Sequence, residues 1–181
     1  MRQAKKEIKD TGVIADILRT SHVGRLGTIG GDGYPIVKPL NFAYHDRRIY
    51  FHSAREGEKI DDIRRDSRVC FEVDLPIALV RSDGNPCRAS YLYRSVIIRG
   101  RATIVEDRAE KVFGLRCLME KYQPEGGYGD FTEEKLAITG VVRIDIEEMT
   151  GKEDLGKEGL RDAALKALEG KAVLPRVLER E

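Results

Sequence analysis

Apolar and polar residues along this chain repeat with two different periods, and the changes of period mark its elements. A helical spacing comes first. Ile14, Ile17 and Leu18 share one face over 12–20, with Asp10 or Thr11 placed to cap the start. Strand-like material follows: His22 to Ile29 runs into Gly30-Gly31-Asp32-Gly33, and Tyr34 to Tyr44 runs into His45-Asp46-Arg47. Asp-Gly between two β-prone runs signals a hairpin. Pro35 and Pro39 put the second run at a sheet edge or predict a break in it. Arg48 to Ser53 then alternates, with Ile49 and Phe51 on one face and Tyr50 and His52 on the other.

A charged helix is predicted over 56–66, burying Ile60 and Ile63. Val69, Phe71 and Val73 share a face of a strand run over 68–80, and Ser82 to Pro86 makes a turn. Cys87 to Val105 is long and β-rich, predicted to bend or bulge near Gly100. Val112, Leu115 and Met119 mark a helix over 108–122, followed by a glycine-rich loop over 124–129 and a short helix over 132–136 capped by Thr132. Val142, Ile144 and Ile146 alternate with Arg143, Asp145 and Glu147, and a last helix is predicted near 158–169. Connections between 22 and 53 are too short for parallel crossovers, which need about a dozen residues. The pattern predicts a mainly β fold with peripheral helices: six antiparallel strands in a closed or split barrel. Composition shifts only after Gly151, which divides the chain into a domain over 1–152 and a charged helical tail over 153–181.

The 181 residues carry 32 Lys+Arg against 31 Asp+Glu, a net charge of +1. That balance, with 41% hydrophobic residues, argues against a disordered chain and against a nucleic-acid binder. No apolar run approaches the roughly 20 residues of a membrane span. The start MRQAKKEIKD lacks the apolar core of a signal peptide. Cys70, Cys87 and Cys117 form no close pair and suit a reducing compartment. Together these predict a cytoplasmic protein with no membrane and no nucleic-acid partner. No His/Cys spacing suits a dedicated metal site.

Gly30 to Gly33 lacks the Lys-Ser/Thr ending of a phosphate loop and reads as a turn. The segment Phe51-His52-Ser53-Ala54-Arg55-Glu56-Gly57-Glu58-Lys59 is more informative, because a strand ends there in small polar residues and hands over to a helix start. Unpaired N–H groups and the helix dipole favour an anion at such a place. Ser53 can add a hydroxyl, Arg55 and Lys59 can add charge, and His52 can donate. Alternatively, Ser53 only caps the helix and the cations are solvated. A second cluster, Tyr91 to Val96, sends Tyr91, Tyr93 and Ser95 to one side and Arg94 to the other. These residues suit a planar anionic ligand, or are ordinary strand aromatics beside a surface arginine.

In order, Val23-Gly24-Arg25-Leu26-Gly27-Thr28, Gly33-Tyr34-Pro35, Pro39-Leu40-Asn41-Phe42-Ala43-Tyr44, Ile49-Tyr50-Phe51-His52-Ser53-Ala54, Gly57-Glu58-Lys59, Val69-Cys70-Phe71-Glu72, Tyr93-Arg94-Ser95-Val96 with Gly100-Arg101-Ala102, and Thr150-Gly151-Lys152 form an ordered set. This set resembles the flavin-binding split barrels related to pyridoxamine 5′-phosphate oxidase, most closely the nitroimidazole-resistance (Nim-type) branch. The resemblance covers about 8–152 and implies a homodimer with FMN at the subunit interface. It implies that Lys38, Pro39, Leu40 and Asn41 lie along the flavin ring. His52, Ser53, Ala54 and Lys59 would hold its phosphate end, with Arg55 pointing outward. Tyr93, Arg94 and Ser95 would approach the cofactor from the partner subunit. His52 also resembles a histidine at the Nim-type site. Related barrels use histidine to ligate haem, so His52 or His22 would be a metal ligand only if haem is bound. The substrate-phosphate arginines and C-terminal signature of the oxidase proper have no equivalent here. The implied activity is an FMN-dependent oxidoreductase reducing a small planar acceptor such as a nitroaromatic, with no side-chain acid or base assigned. The alternatives are a haem-binding or haem-handling barrel and a non-catalytic flavin-binding dimer.

Overall fold

The hydrophobic alternation builds one antiparallel sheet, curled around a core and flanked by helices. The computed structural model describes residues 4–82, 84–157 and 159–169. In chain order these form β1 (Glu7–Ile8), α1 (Thr11–Thr20), β2 (Gly24–Ile29), β3 (Pro35–Leu40), β4 (Ala43–His45) and β5 (Arg48–Ala54). There follow α2 (Glu58–Arg65), β6 (Arg68–Val80), β7 (Ser90–Ile104), α3 (Arg108–Tyr122), α4 (Glu133–Ile138), β8 (Thr139–Asp154) and α5 (Gly159–Glu169). The sheet order is β3-β2-β6-β7-β8-β5-β4, with β1 added to the far part of β8. Edges β3 and β4 do not pair with each other, so the barrel is split. The fold class is the expected one, with eight strands rather than six: β1 has two residues and β4 three, below what alternation can signal.

Local chemistry accounts for the boundaries. Asp10 caps α1, its carboxylate accepting from the Gly12 N–H at 2.7 Å. At the β2–β3 hairpin Gly33 takes φ +85°, and the Gly30 N–H donates to the Tyr34 carbonyl at 2.7 Å. The glycine cluster is therefore a turn. Both proline expectations hold, since β3 is an edge and the run breaks at Asn41-Phe42 before β4. The β7–β8 register shifts between Arg99 and Gly100, where a Cβ would meet the Asp145 carbonyl oxygen at 2.3 Å. Only glycine permits that bulge.

Phe42, Ile49, Phe51, Phe71, Val73, Val96, Ile98, Val142 and Ile144 fill the barrel, and Ile60 and Ile63 of α2 enter the same core. Helix α3 buries Lys111, Gly114, Cys117 and Leu118 rather than the expected Val112, Leu115 and Met119. Its seam runs through Gly114, where a Cβ would lie 2.8 Å from the Tyr50 ring, so close approach turns the helix. That approach also buries Tyr50, whose hydroxyl donates to Glu110 at 3.2 Å. Past residue 152 the chain is still in β8, and Leu155 and Ala164 then pack with Ile77 and Leu92. The expected final helix falls on α5, and residues 170–181 of the predicted tail lie outside the described part. Among the described residues no helix is long and apolar enough to cross a membrane.

Candidate functional site

Helix α2 starts without a side-chain cap: Gly57 occupies the N-cap position at φ +114° and no side chain accepts from the first turn. Its leading N–H groups are therefore free for an anion. Two lysines stand beside this start. Lys59 is half-buried in the first turn, its Nζ 5.3 Å from the centre of the Phe51 ring. Lys38 reaches over from β3, where Ile36, Lys38 and Leu40 take the more buried alternate positions, and pairs with Glu58. Burial, and secondly the positive charge of Lys38, hold the Lys59 ammonium below its ordinary pKa. Two cations so placed repel each other and are relieved by a shared anion. Ser53 lies on the face of β5 that carries Ile49 and Phe51.

The predicted phosphate group nevertheless divides. His52 and Ser53 are consecutive in a regular strand, opposite Val141 and Gly140 of β8. Val141 packs on the outer, α3 side with Tyr50, so His52 faces that side and not the α2 start. His52 lines a cavity of about 500 Å³ with Asn41, Leu118, Met119, Phe131 and Lys135. Ala54 is exposed beside it. Arg55 points away as expected, donating to the Ala137 carbonyl at 2.9 Å. Pro39 lies on the exposed outer side of β3, whereas Leu40 packs on the core. Asn41 donates from Nδ2 to the His22 carbonyl at 3.2 Å.

Tyr93, Arg94 and Ser95 are not brought to this site within the chain. They pair with Asp154, Glu153 and Lys152 of β8, whereas Ser53 pairs with Gly140. Twelve residues of strand separate 140 from 152, up to roughly 40 Å when extended. Arg94 is 16% exposed and donates from Nε to Glu153 at 3.0 Å.

Sequence reasoning missed three side chains that hold this end together. Tyr122, at the end of α3, donates to the His22 carbonyl at 2.6 Å while its oxygen accepts from the Phe42 N–H at 3.1 Å. Lys121 donates to the Leu18 carbonyl at 3.1 Å and lies 3.7 Å from the centre of the Phe42 ring. Asp62 is buried against Thr28 and Arg65. No local pattern marks such contacts, which span up to about a hundred residues; for Asp62 a short helix wedged between strands is covered on more than one face.

Burial pushes Lys121 down to about 7 from its ordinary 10.5. Between those values the unfolded chain binds more protons than the folded one, so this group's contribution to stability rises with pH. Lys121→Met removes the dependence. Melting curves from about pH 6.5 to about pH 9 are expected to shift the difference between the two proteins steadily in favour of the wild type.

Fold and site together define an open antiparallel barrel with a cationic helix start at its rim. Residues 10–153 match the family model described as pyridoxamine 5′-phosphate oxidase. The chain belongs to this family. Among solved structures it is similar to a candidate 5-nitroimidazole antibiotic resistance protein from Bacteroides thetaiotaomicron, at 28% identity and TM-score 0.73, covering 81% of this chain and 86% of that one. It is also similar to an FAD-binding protein from Mesorhizobium loti, at 26% identity and TM-score 0.57, covering 80% and 93%. The flavocytochrome Anf3 from Azotobacter vinelandii shares the fold at 20% identity and TM-score 0.78, covering 100% and 86%. No curated protein matches the chain.

Proposed function

We propose that the protein is an FMN-binding oxidoreductase acting on a small planar acceptor, as a homodimer. The observation that carries this reading is the α2 start, where uncapped N–H groups stand beside the two ammonium groups of Lys38 and Lys59. These residues fit the group. The N–H groups and Ser53 hydroxyl donate to its oxygens, and the two ammonium groups balance its charge. Lys38 exchanges Glu58, 60% exposed, for the phosphate. The strand from Lys38 to Asn41 orients the ring from its backbone. When bound, the flavin supplies the electron transfer between donor and acceptor.

The cavity under α3 supports the acceptor class. Its walls are Leu115, Leu118, Met119 and Leu136, with His52, Asn41 and Lys135 as the polar points, a combination that suits a flat ring with one acceptor group. The dimer reading rests on two features. Tyr93 to Ser95, on β7 opposite the far end of β8, lie too far away to serve their own α2 start. The outer sheet face exposes Ile29, Val37 and Ile97 at 43%, 62% and 47%, an apolar surface that a second copy would cover. A related expectation is a two-chain mass in solution by light scattering. We favour FMN over haem because the α2 start carries two cations and free N–H groups, which suit a phosphate.

Turnover is tested anaerobically with FMN-loaded protein, a reduced nicotinamide and a nitroaromatic, following loss of the nitro absorbance. Consumption of both reagents is expected. Bound flavin that no donor in a broad panel reduces would leave only the non-catalytic flavin-binding dimer.

A further inference from the structure

The loop between α3 and α4 is fastened at both ends and unattached in between. At the near end the Gly126 N–H donates to the Gln123 carbonyl at 3.1 Å, and Gln123 Nε2 donates to the Gly126 carbonyl at 2.7 Å, closing a turn. At the far end α4 is tied to the barrel, Lys111 Nζ donating to the Leu136 carbonyl at 3.2 Å and Arg55 to that of Ala137 at 2.9 Å. Among the described residues, none from Gly127 to Phe131 makes a hydrogen bond or an ion pair. Gly127 and Gly129 take φ +80° and +69°, the left-handed region that favours glycine. A Cβ at Gly129 would meet nothing within 4 Å, and one at Gly127 only Gln123 Nε2 at 4.0 Å, so the backbone and not crowding calls for glycine here. The segment carries two aromatic rings, Tyr128 and Phe131, with centres 6.4 Å apart. Phe131 is half-buried and lines the cavity that holds His52, whereas Tyr128 is 39% exposed.

We propose that residues 127–131 form a flap that closes on a flat aromatic ring in this cavity, with Phe131 as its inner wall and Tyr128 brought in behind it. The proposal rests on the reading of the cavity as the site of a planar acceptor and adds the part of the site that moves. A segment with no hydrogen bonds to the body breaks none when it shifts, which places it at the low-stability end of the fold. The Gln123–Gly126 turn and the tied α4 confine the motion to the five residues between them. Closing removes both rings from water and stacks Phe131 on the ligand opposite Leu115, Leu118 and Met119. A flap of this kind also keeps water from the bound ring.

The probe is 4-nitrobenzyl alcohol, a neutral flat nitroaromatic, added to the full chain with and without FMN. Amide hydrogen exchange over 127–131 is expected to be fast in the free protein and to slow at least about tenfold when the probe saturates. Phe131→Ala is expected to weaken probe binding roughly tenfold and Tyr128→Ala several-fold, with the melting temperature of the free protein unchanged in both. Slow exchange over 127–131 in the free protein overturns the flap. Saturable binding with no gain in protection, or with unchanged affinity in Phe131→Ala, overturns the flap alone and leaves the acceptor cavity standing. No saturable binding, with or without FMN, overturns the flap together with the acceptor reading.

Discussion

Lys59→Ala is expected to weaken FMN binding by roughly 10- to 100-fold while changing riboflavin affinity by no more than about twofold. A charge-assisted hydrogen bond contributes about 1.5–3 kcal/mol, and each 1.4 kcal/mol is tenfold in affinity. FMN and riboflavin differ only in the phosphate, so the difference between their losses isolates the contact. The same substitution should leave the empty protein as stable as before or slightly more so. Lys59 is held below its ordinary pKa by burial and by Lys38, which means that its charge is unfavourable until an anion arrives. Ligand binding and stability are thus predicted to move in opposite directions. With no Trp in the chain, the flavin's own fluorescence is the appropriate probe for both titrations. Equal losses for FMN and riboflavin would remove Lys59 from the phosphate.

The largest effect on stability is expected from Asp62→Ala. Asp62 is 2% exposed, accepts from the Thr28 hydroxyl at 2.8 Å and from Arg65 at 2.7 Å, and ties α2 to β2. Losing it leaves the Thr28 hydroxyl buried without an acceptor. Arg65 is 45% exposed and can turn to water, so about 2–3 kcal/mol is expected, the low end for a broken buried pair. The pH dependence has a definite sign. Burial pushes the Asp62 carboxyl up, but hydrogen bonds from Arg65 and Thr28 outweigh it and hold the group below its ordinary 3.8. A pKa depressed on folding contributes stability that is present above the unfolded value and lost as pH falls through the folded one. Urea denaturation should therefore show a gap between wild type and Asp62→Ala that is constant near neutrality and closes below about pH 4. Because α2 also presents Gly57 and Lys59, the variant should lose FMN affinity. A gap that persists at low pH would mean that Asp62 acts by packing alone.

These two residues differ in how readily the sequence reveals them. Lys59 sits in a strand-to-helix handover, and the chemistry of an open helix start is local, so a few neighbouring residues suffice to expose it. Lys38 stands twenty-one positions earlier and enters only through its ion pair with Glu58; the resemblance put it along the flavin ring, and spacing alone did not bring it to this helix start. His52 and Ser53 were grouped by adjacency, although the period-two alternation of β5 already separates consecutive residues onto opposite faces. That signal was available. Asp62 was not accessible in this way, because an acid in a charged helix looks solvated until β2 is placed against it. Long-range order also explains the misjudged length of β8. Its later half, Glu147-Glu148-Met149-Thr150-Gly151-Lys152-Glu153-Asp154, is mostly polar and carries no strand pattern, yet from Glu148 on it pairs with the long β7 residue by residue. The barrel itself was legible because its core strands alternate cleanly and the connections between 22 and 53 permit only antiparallel neighbours.

The account turns on whether the α2 start receives the phosphate of a flavin. The most direct measurement is the visible spectrum of the purified protein, followed by titration with FMN. Saturable binding at micromolar FMN is predicted, with a resolved flavin spectrum and quenched flavin fluorescence, at one FMN per chain. A colourless protein that stays unbound at micromolar FMN would contradict it, as would a purified protein whose spectrum is a Soret band with no flavin.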